Sequence, residues 1–197
     1  MSLKAKAQKN EEDGKRTLVA LMVDEMSTQA HVEYIQGKAQ GYVDVGAGVP
    51  SDRVAKEAMV LMVVSVTESW KVPIAYFLVD GVSGKERANI IEECLRRLHD
   101  TGVTTLSLTC DGPPCNLTML RELGANLNIE DMDSSFPNPA DPSQEVHAFL
   151  DVCHMVKLIR NAFGTGLIFK TANGDTIRWQ YLHNLVELQA WFNFYNF

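Results

Sequence analysis

The chain has 197 residues, enough for one large hydrophobic core or two small ones, and 46% of them are hydrophobic and 22% charged, as in an ordinary globular protein. The formal net charge of −7 argues against a segment that grips nucleic acid unaided, because phosphate-binding faces are normally rich in Lys and Arg. No apolar run reaches the roughly 18 residues of a membrane span, and the first residues show no secretion signal.

The four cysteines form neither a CxxC pair nor a zinc-finger spacing. With no secretion signal, we expect reduced thiols and an intracellular protein. Cys110 and Cys153 lie beside acidic residues and have no basic neighbour that would clearly activate a thiolate, so a cysteine nucleophile is not expected.

The first strand is predicted where an apolar run ends abruptly in acid. After a polar segment (4–16), read as an exposed helix or tail, the run Thr17 to Met26 suits a strand buried on both faces. Asp24 and Glu25 stand where it leaves the core. A carboxylate held at a strand end can bind a metal or a phosphate; the alternative is that both acids are merely solvated.

The next segments predict strands and turns. They are a hairpin of His31 to Ile35 with Gly41 to Val45, a loop over 46–57, and antiparallel strands Ala58 to Val66 and Lys71 to Val79. Pro73 places the last of these at or near a sheet edge. Asp80 before Gly81 is best explained as a turn residue.

The second half alternates helices and strands. A helix from Ser83, with apolar residues at helical spacing, ends at Gly102, and the strand Val103 to Asp111 ends in acid like the first. The following segments are a helix at Asn116 to Leu123, a loop at 125–145, a strand at Glu145 to Val152, a helix at Cys153 to Asn161, a hairpin within 167–177 and a helix at Trp179 to Gln189. The aromatic tail, Ala190 to Phe197, would form an exposed apolar patch unless something covers it.

This order is that of a ribonuclease H-like α/β fold: a mixed five-stranded sheet with flanking helices, here with an extra hairpin and the start of a helical insertion. The first and fourth strands of that fold lie side by side, which would bring Asp24 and Asp111 together. Two such acids can share divalent cations for in-line attack at a phosphodiester. Asp111 could equally serve only to cap the Asp-Gly-Pro-Pro turn.

Other motifs are weaker. Asp151 and His154 could face one side of a helix start, or could be an N-cap and its satisfied neighbour. Lys157 and Arg160 could reach a phosphate, although such pairs are usually solvated. No phosphate-binding loop of the G-x-x-x-x-G-K-[ST] type is present, and no Gly-x-Ser-x-Gly elbow.

Several stretches together resemble the P-element transposase family: Leu-Met-Val-Asp-Glu-Met-Ser, Gly-Tyr-Val-Asp-Val-Gly, Trp-Lys-Val-Pro-Ile-Ala-Tyr-Phe, Thr-Cys-Asp-Gly-Pro-Pro-Cys-Asn and Asp-Val-Cys-His-Met-Val-Lys-Leu-Ile-Arg-Asn. The resemblance implies that Asp24 and Asp111 are the first two catalytic acids and bind Mg²⁺ or Mn²⁺, with Asp151 and His154 as a possible accessory signature. It also implies DNA (transposon ends) as substrate, a homo-oligomer, a nuclear location, no membrane association, and GTP as a possible ligand of the whole protein.

The resemblance further implies a domain division: an exposed segment (1–16), a core lacking its last helix (17–163), and the truncated start of an insertion (164–197). The family's third acid, a Glu, would lie beyond that insertion, and Glu187 is not a candidate for it. Two hypotheses follow: part of a transposase catalytic core, or a catalytically inactive, transposon-derived interaction module.

Overall fold

The computed structural model of the chain describes residues 2–35, 37–46 and 51–195, with only the backbone for Lys38 and residues 190–195. The chain divides into two compact units, Met1–Asp151 and Val152–Phe197. The boundary predicted at residue 164 lies inside the second of these units.

The described part of the first unit contains, in chain order, α1 (Leu3–Glu12), β1 (Thr17–Ser27), β2 (Glu33–Ile35), β3 (Lys38–Gln40), β4 (Glu57–Ser65), β5 (Lys71–Val79), α2 (Gly84–Asp100), β6 (Val103–Cys110), α3 (Pro114–Leu123), β7 (Ser135–Asn138) and β8 (Asp141–Leu150). That of the second contains α4 (Val152–Gly164), β9 (Phe169–Lys170), β10 (Thr176–Ile177) and α5 (Trp179–Tyr195). None of the described helices is long and apolar enough to cross a membrane.

A mixed sheet of six strands, in the order β5-β4-β1-β6-β8-β7, forms the centre of the first unit. Strands β1, β6 and β8 run parallel to one another, and β4, β5 and β7 are antiparallel to their neighbours. The predicted ribonuclease H-like order is therefore confirmed, with the first and fourth core strands adjacent. Strand β5, which contains Pro73, is an edge strand as predicted.

The prediction of five strands is wrong by one, because part of the predicted loop 125–145 forms β7. Strand β7 pairs with the start of β8, which begins at Asp141 rather than Glu145. Only Phe136 of β7 is large and apolar, and it is fully buried. A segment with one apolar residue and a proline carries no strand signal of its own, so its conformation depends on pairing with β8.

Strand β1 buries one face completely and the other partly. Thr17, Val19, Leu21 and Val23 are buried, whereas the residues between them are half-buried. The prediction of a strand buried on both faces is thus correct for one face only. The buried face belongs to a core that includes α2 and α3 side chains such as Ile91, Leu95, Met119 and Leu120.

Helices α2 and α3 approach each other closely at the start of α2. Ser83 and Glu86 form a reciprocal capping box there, which satisfies two backbone N–H groups of the first turn. A Cβ on Gly84 would lie 2.6 Å from Thr118 Cβ and 2.7 Å from the Cys115 carbonyl oxygen. Only glycine lets the two helices pack at this distance.

The first hairpin is shorter than predicted. It consists of β2 and β3. In the stretch Gly41 to Val45 the structure has only isolated β-bridges, one that pairs Tyr42 with Val54 and one that pairs Asp44 with Leu78. Residues 47–50 of the predicted loop lie outside the described residues.

In the second unit the predicted hairpin forms as β9 and β10. Phe163 of α4 is buried between Phe169, at 5.0 Å between ring centroids, and Trp179, at 5.5 Å. The side chains of the aromatic tail, Ala190 to Phe197, lie outside the described residues, so the apolar patch predicted there stays a prediction.

Candidate active site

Asp24 and Asp111 lie at the carboxyl ends of neighbouring parallel strands. Met22 of β1 is level with Thr109 of β6, and two further residues along each chain bring Asp24 level with Asp111. Because side chains alternate between the faces of a sheet, Asp24 lies on the half-buried face, as Met22 does. The juxtaposition predicted from the element order is therefore present.

Four acids line one cavity of about 270 Å³ at this end of the sheet. They are Asp24, Glu25, Asp111 and Asp151, and apolar side chains of β1 and β4 such as Met22 and Val60 complete the lining. Asp151 follows β8, and its backbone N–H donates to the Cys110 carbonyl at 2.8 Å, which keeps the ends of β8 and β6 together. The ends of the three parallel strands thus all contribute carboxylates to the cavity, two from β1 and one each after β6 and β8.

The accessory pair predicted from sequence is divided between the two units. Asp151 ends the first unit, and His154 lies on α4 in the second. A joint role for these two residues stays a prediction. Glu187, which the sequence did not favour as a third acid, is also in the second unit, where its Oε1 lies 3.3 Å from His183 Nδ1.

Asp24 and Glu25 are adjacent in sequence but have different surroundings. Asp24 is exposed, and its Oδ1 accepts a hydrogen bond from the Glu25 backbone N–H at 2.8 Å. The Glu25 carboxylate instead lies 2.7 Å from a guanidinium nitrogen of Arg87, whose side chain is 4% exposed. Glu25 is consequently held in an ion pair, and Asp24 is the acid of β1 that is available to a ligand.

The Asp111 side chain contacts a residue of α3 across the turn that follows β6. Asn116 Nδ2 donates to Asp111 Oδ1, and Arg87 Nη1 donates to Asn116 Oδ1 at 3.1 Å. Pro113 occupies the N-cap of α3, and that helix end has no side-chain cap. The alternative that Asp111 only stabilises the turn stays a prediction, because its contact with Asn116 crosses that turn.

Sequence reasoning missed Arg87 and Asn116. A signal for Arg87 was available, because it lies four residues before Ile91 and eight before Leu95 on the apolar stripe of α2, where a charge is out of place. No comparable signal identifies Asn116, because Asn is common at the start of a helix.

The donor chemistry fits a hard divalent cation. Mg²⁺ is usually bound by one or two carboxylates, with water and substrate phosphate oxygens as the remaining ligands. Within residues 2–35, 37–46 and 51–195, no three His, Cys, Asp or Glu side chains are close enough together to hold a metal ion by themselves. The carboxylates of Asp24 and Asp111 would accordingly supply part of a coordination shell.

The contacts of two other residues give them structural explanations. Burial raises the pKa of the Cys110 thiol to about 12, and the Asp111 charge adds to the rise, so this cysteine is not a nucleophile at neutral pH. Asp80 forms ion pairs with Arg53 at 3.0 Å and Lys56 at 3.1 Å, and it precedes a glycine with φ +72°. These contacts agree with its interpretation as a turn residue.

Comparison with protein-family models assigns the chain to a family. Residues 1–124 match the model described as "TNP-like, RNase H N-terminal domain". The chain belongs to the TNP-like family. Residues 153–195 match a second model, "TNP-like, GTP-binding insertion domain", and that match begins one residue after the second compact unit does.

Two curated relatives are transposases. The TNP-like chain is 35% identical over 153 residues to the DNA transposase THAP9 of Homo sapiens, covering 76% of this chain and 17% of that protein. It is 28% identical over 161 residues to the transposable element P transposase of Drosophila melanogaster, covering 81% of this chain and 19% of the relative. The chain therefore spans less than a fifth of either relative.

A solved structure shares the fold. The Drosophila P element transposase strand transfer complex aligns with a TM-score of 0.65 at 23% identity, over 87% of this chain and 34% of that one. The expected P-element transposase kinship and ribonuclease H-like fold are confirmed by these matches and by the sheet order.

Proposed function

We propose that this TNP-like chain is part of a DNA transposase catalytic core in which Asp24 and Asp111 hold Mg²⁺ or Mn²⁺ for DNA strand cleavage and transfer. The observation that carries the proposal is the position of the two carboxylates, at the ends of neighbouring parallel strands and on one cavity. Asp151 lines the same cavity and is proposed as an accessory acid. By kinship with the transposases, the whole protein would act on transposon ends, as a homo-oligomer, in the nucleus.

The charge of the cavity favours a cation. Its described lining includes the acids Asp24, Glu25, Asp111 and Asp151 and no Lys or Arg, so it would repel the phosphates of DNA. A bound divalent cation would reverse that repulsion, polarise the phosphate and make water a better nucleophile. The chain itself would fix two ligands of the cation on rigid strands, beside apolar side chains that limit the access of water.

Calorimetry with Mn²⁺ tests the proposal on the wild type, Asp24→Asn and Asp111→Asn. The amide keeps the shape of each side chain and removes the negative charge. We expect binding by the wild type and strongly weakened but measurable binding in both variants, while Asp80→Asn, which removes a carboxylate that does not line the cavity, binds normally. Wild-type protein without Mn²⁺ affinity, or binding that neither substitution changes, would contradict the proposal.

The second candidate is a catalytically inactive interaction module. Apolar side chains are exposed on both long helices of the second unit, among them Val156 and Ile159 of α4 and Leu185 and Val186 of α5. Such surfaces are typical of sites covered by other protein. This candidate predicts self-association, measured by light scattering after gel filtration, that persists in EDTA and in Asp24→Asn.

The match of residues 153–195 supports a further proposal, that the second unit contributes to guanine-nucleotide binding in the whole protein. The sequence contains no phosphate-binding loop of the Walker type, so the nucleotide would need another kind of site. Titration with a fluorescent GTP analogue, with the ATP analogue as control, tests whether this chain alone provides it.

A further inference from the structure

We propose that Arg87 and Asn116 are positioning residues, which hold the Asp111 carboxylate in the orientation that cation binding requires. The inference rests on the proposed function of Asp24 and Asp111. Both residues are almost completely buried, at 3% and 4% exposure, and together they join α2, α3, the end of β1 and the end of β6.

The burial of Arg87 needs an explanation, because its position on the apolar stripe of α2 would suit a leucine. Burying a guanidinium costs several kcal/mol of desolvation energy, and an apolar residue of similar volume often gives equal or greater stability. Arg87 recovers part of this cost from the Glu25 carboxylate at 2.7 Å and from the Val82 carbonyl, to which its Nε donates at 3.1 Å. Its third contact, in which Nη1 donates to Asn116 Oδ1 at 3.1 Å, also satisfies a guanidinium N–H and in addition connects Arg87 to the residue that contacts Asp111.

That third contact decides the orientation of the Asn116 amide. A guanidinium can only donate hydrogen bonds, so the amide oxygen must face Arg87 and the NH₂ group must face away from it. The NH₂ group therefore meets Asp111, where Nδ2 donates to Oδ1 and lies 3.4 Å from the backbone carbonyl oxygen. If the amide were reversed, its oxygen would face the carboxylate and repel it.

The result is a continuous chain of contacts from one acid-bearing strand to the other. Glu25, next to Asp24 at the end of β1, pairs with Arg87; Arg87 orients Asn116; and Asn116 holds Asp111. Ligands that are themselves hydrogen-bonded lose less freedom when a metal binds, and removing such support typically lowers metal affinity roughly 10- to 100-fold. We expect a loss of that size for Asn116→Ala.

The test is Mn²⁺ calorimetry on this chain, with the free energy of unfolding measured for every variant. Asn116→Ala should weaken binding by about 10- to 100-fold. Arg87→Lys should also weaken Mn²⁺ binding, because lysine keeps a positive charge near Glu25 but lacks the planar guanidinium that donates to Glu25 and Asn116 at the same time. Leu120→Val is the matched control, because it disturbs the buried face of α3 without touching Asp111 and should leave affinity within about twofold of the wild type.

A double-substitution cycle separates positioning from packing. If Asn116 acts through Asp111, adding Asn116→Ala to Asp111→Ala should change the residual affinity no further. Unchanged affinity in Asn116→Ala, an equal loss in Leu120→Val, or additive losses in the cycle would overturn the positioning role and leave the cation site intact. A wild type that binds no Mn²⁺ would instead overturn the proposed function, and the positioning role with it.

Discussion

Gly84 gives the sharpest test of the packing that supports the candidate site. Replacing a glycine in a helix by alanine normally stabilises a protein by up to about 1 kcal/mol. At position 84 we predict the opposite sign. A new Cβ would lie 2.6 Å from Thr118 Cβ and 2.7 Å from the Cys115 carbonyl oxygen, and neither atom can turn away because both are fixed to the α3 backbone.

The size of the effect follows from these distances. Ordinary contact begins near 3.4 Å, so α3 would have to move by roughly 0.8 Å relative to α2. Overpacking of this kind costs about 1–3 kcal/mol, which exceeds the gain in helix propensity. We expect Gly84→Ala to destabilise the first unit by about 1–2 kcal/mol and, because α3 carries Asn116, to weaken Mn²⁺ binding as well.

Hydrogen exchange of the buried β1 amides, such as those of Val19 and Leu21, measures the stability of the first unit separately from the second. We expect exchange about 5 to 30 times faster in Gly84→Ala, and little change in Lys85→Ala, which alters the neighbouring exposed position. Slower exchange in Gly84→Ala, as helix propensity alone predicts, would refute the close approach of α2 and α3.

Two further predictions concern other parts of the chain. Phe163→Ala removes the ring packed between Phe169 and Trp179, so the free energy of unfolding of the second unit should fall by about 3–5 kcal/mol. Trp fluorescence should show this unit unfolding at a lower urea concentration than in the control Leu158→Ala, which changes an exposed side chain. Coincident transitions would contradict the packing of Phe163. Burial raises the pKa of the Cys110 thiol from 9.0 to about 12. The folded state therefore holds this proton more tightly than the unfolded state, so the free energy of unfolding is unaffected below pH 9 and falls as the pH rises from 9 towards 12. Cys110 should resist iodoacetamide at pH 8 until the protein unfolds, and rapid alkylation of Cys110 in the native protein would contradict its burial.

The elements with a strong local pattern could be predicted from sequence. The apolar run that ends at Asp24 and the alternation of helices and strands after Ser83 were sufficient to place β1 beside β6. Strand β7 could not be predicted in this way, because Ser-Phe-Pro-Asn becomes a strand only through its pairing with β8. In the first hairpin, bridges to Val54 and Leu78 replace the longer second strand that the sequence predicted.

The candidate site, like the fold, could be predicted from sequence only in part. Alternation along β1 separates Asp24 from Glu25, since Glu25 shares a face with buried Val23. The partners of the acids could not be predicted, because the contacts of Arg87 with Glu25 and Asn116 join residues 62 and 29 positions apart. A charged residue on an apolar helical stripe indicates that such a partner exists and leaves its identity open.

The central claim is that a cation binds between Asp24 and Asp111, and paramagnetic broadening of amide NMR signals by Mn²⁺ tests it most directly. We expect the strongest broadening at residues 24–25, 110–112 and 151. Thr17, at the far end of β1 and roughly 23 Å from Asp24 at about 3.3 Å per residue, should be little affected. Broadening centred on other acids, such as Asp133 and Glu145, or none at all, would contradict the account.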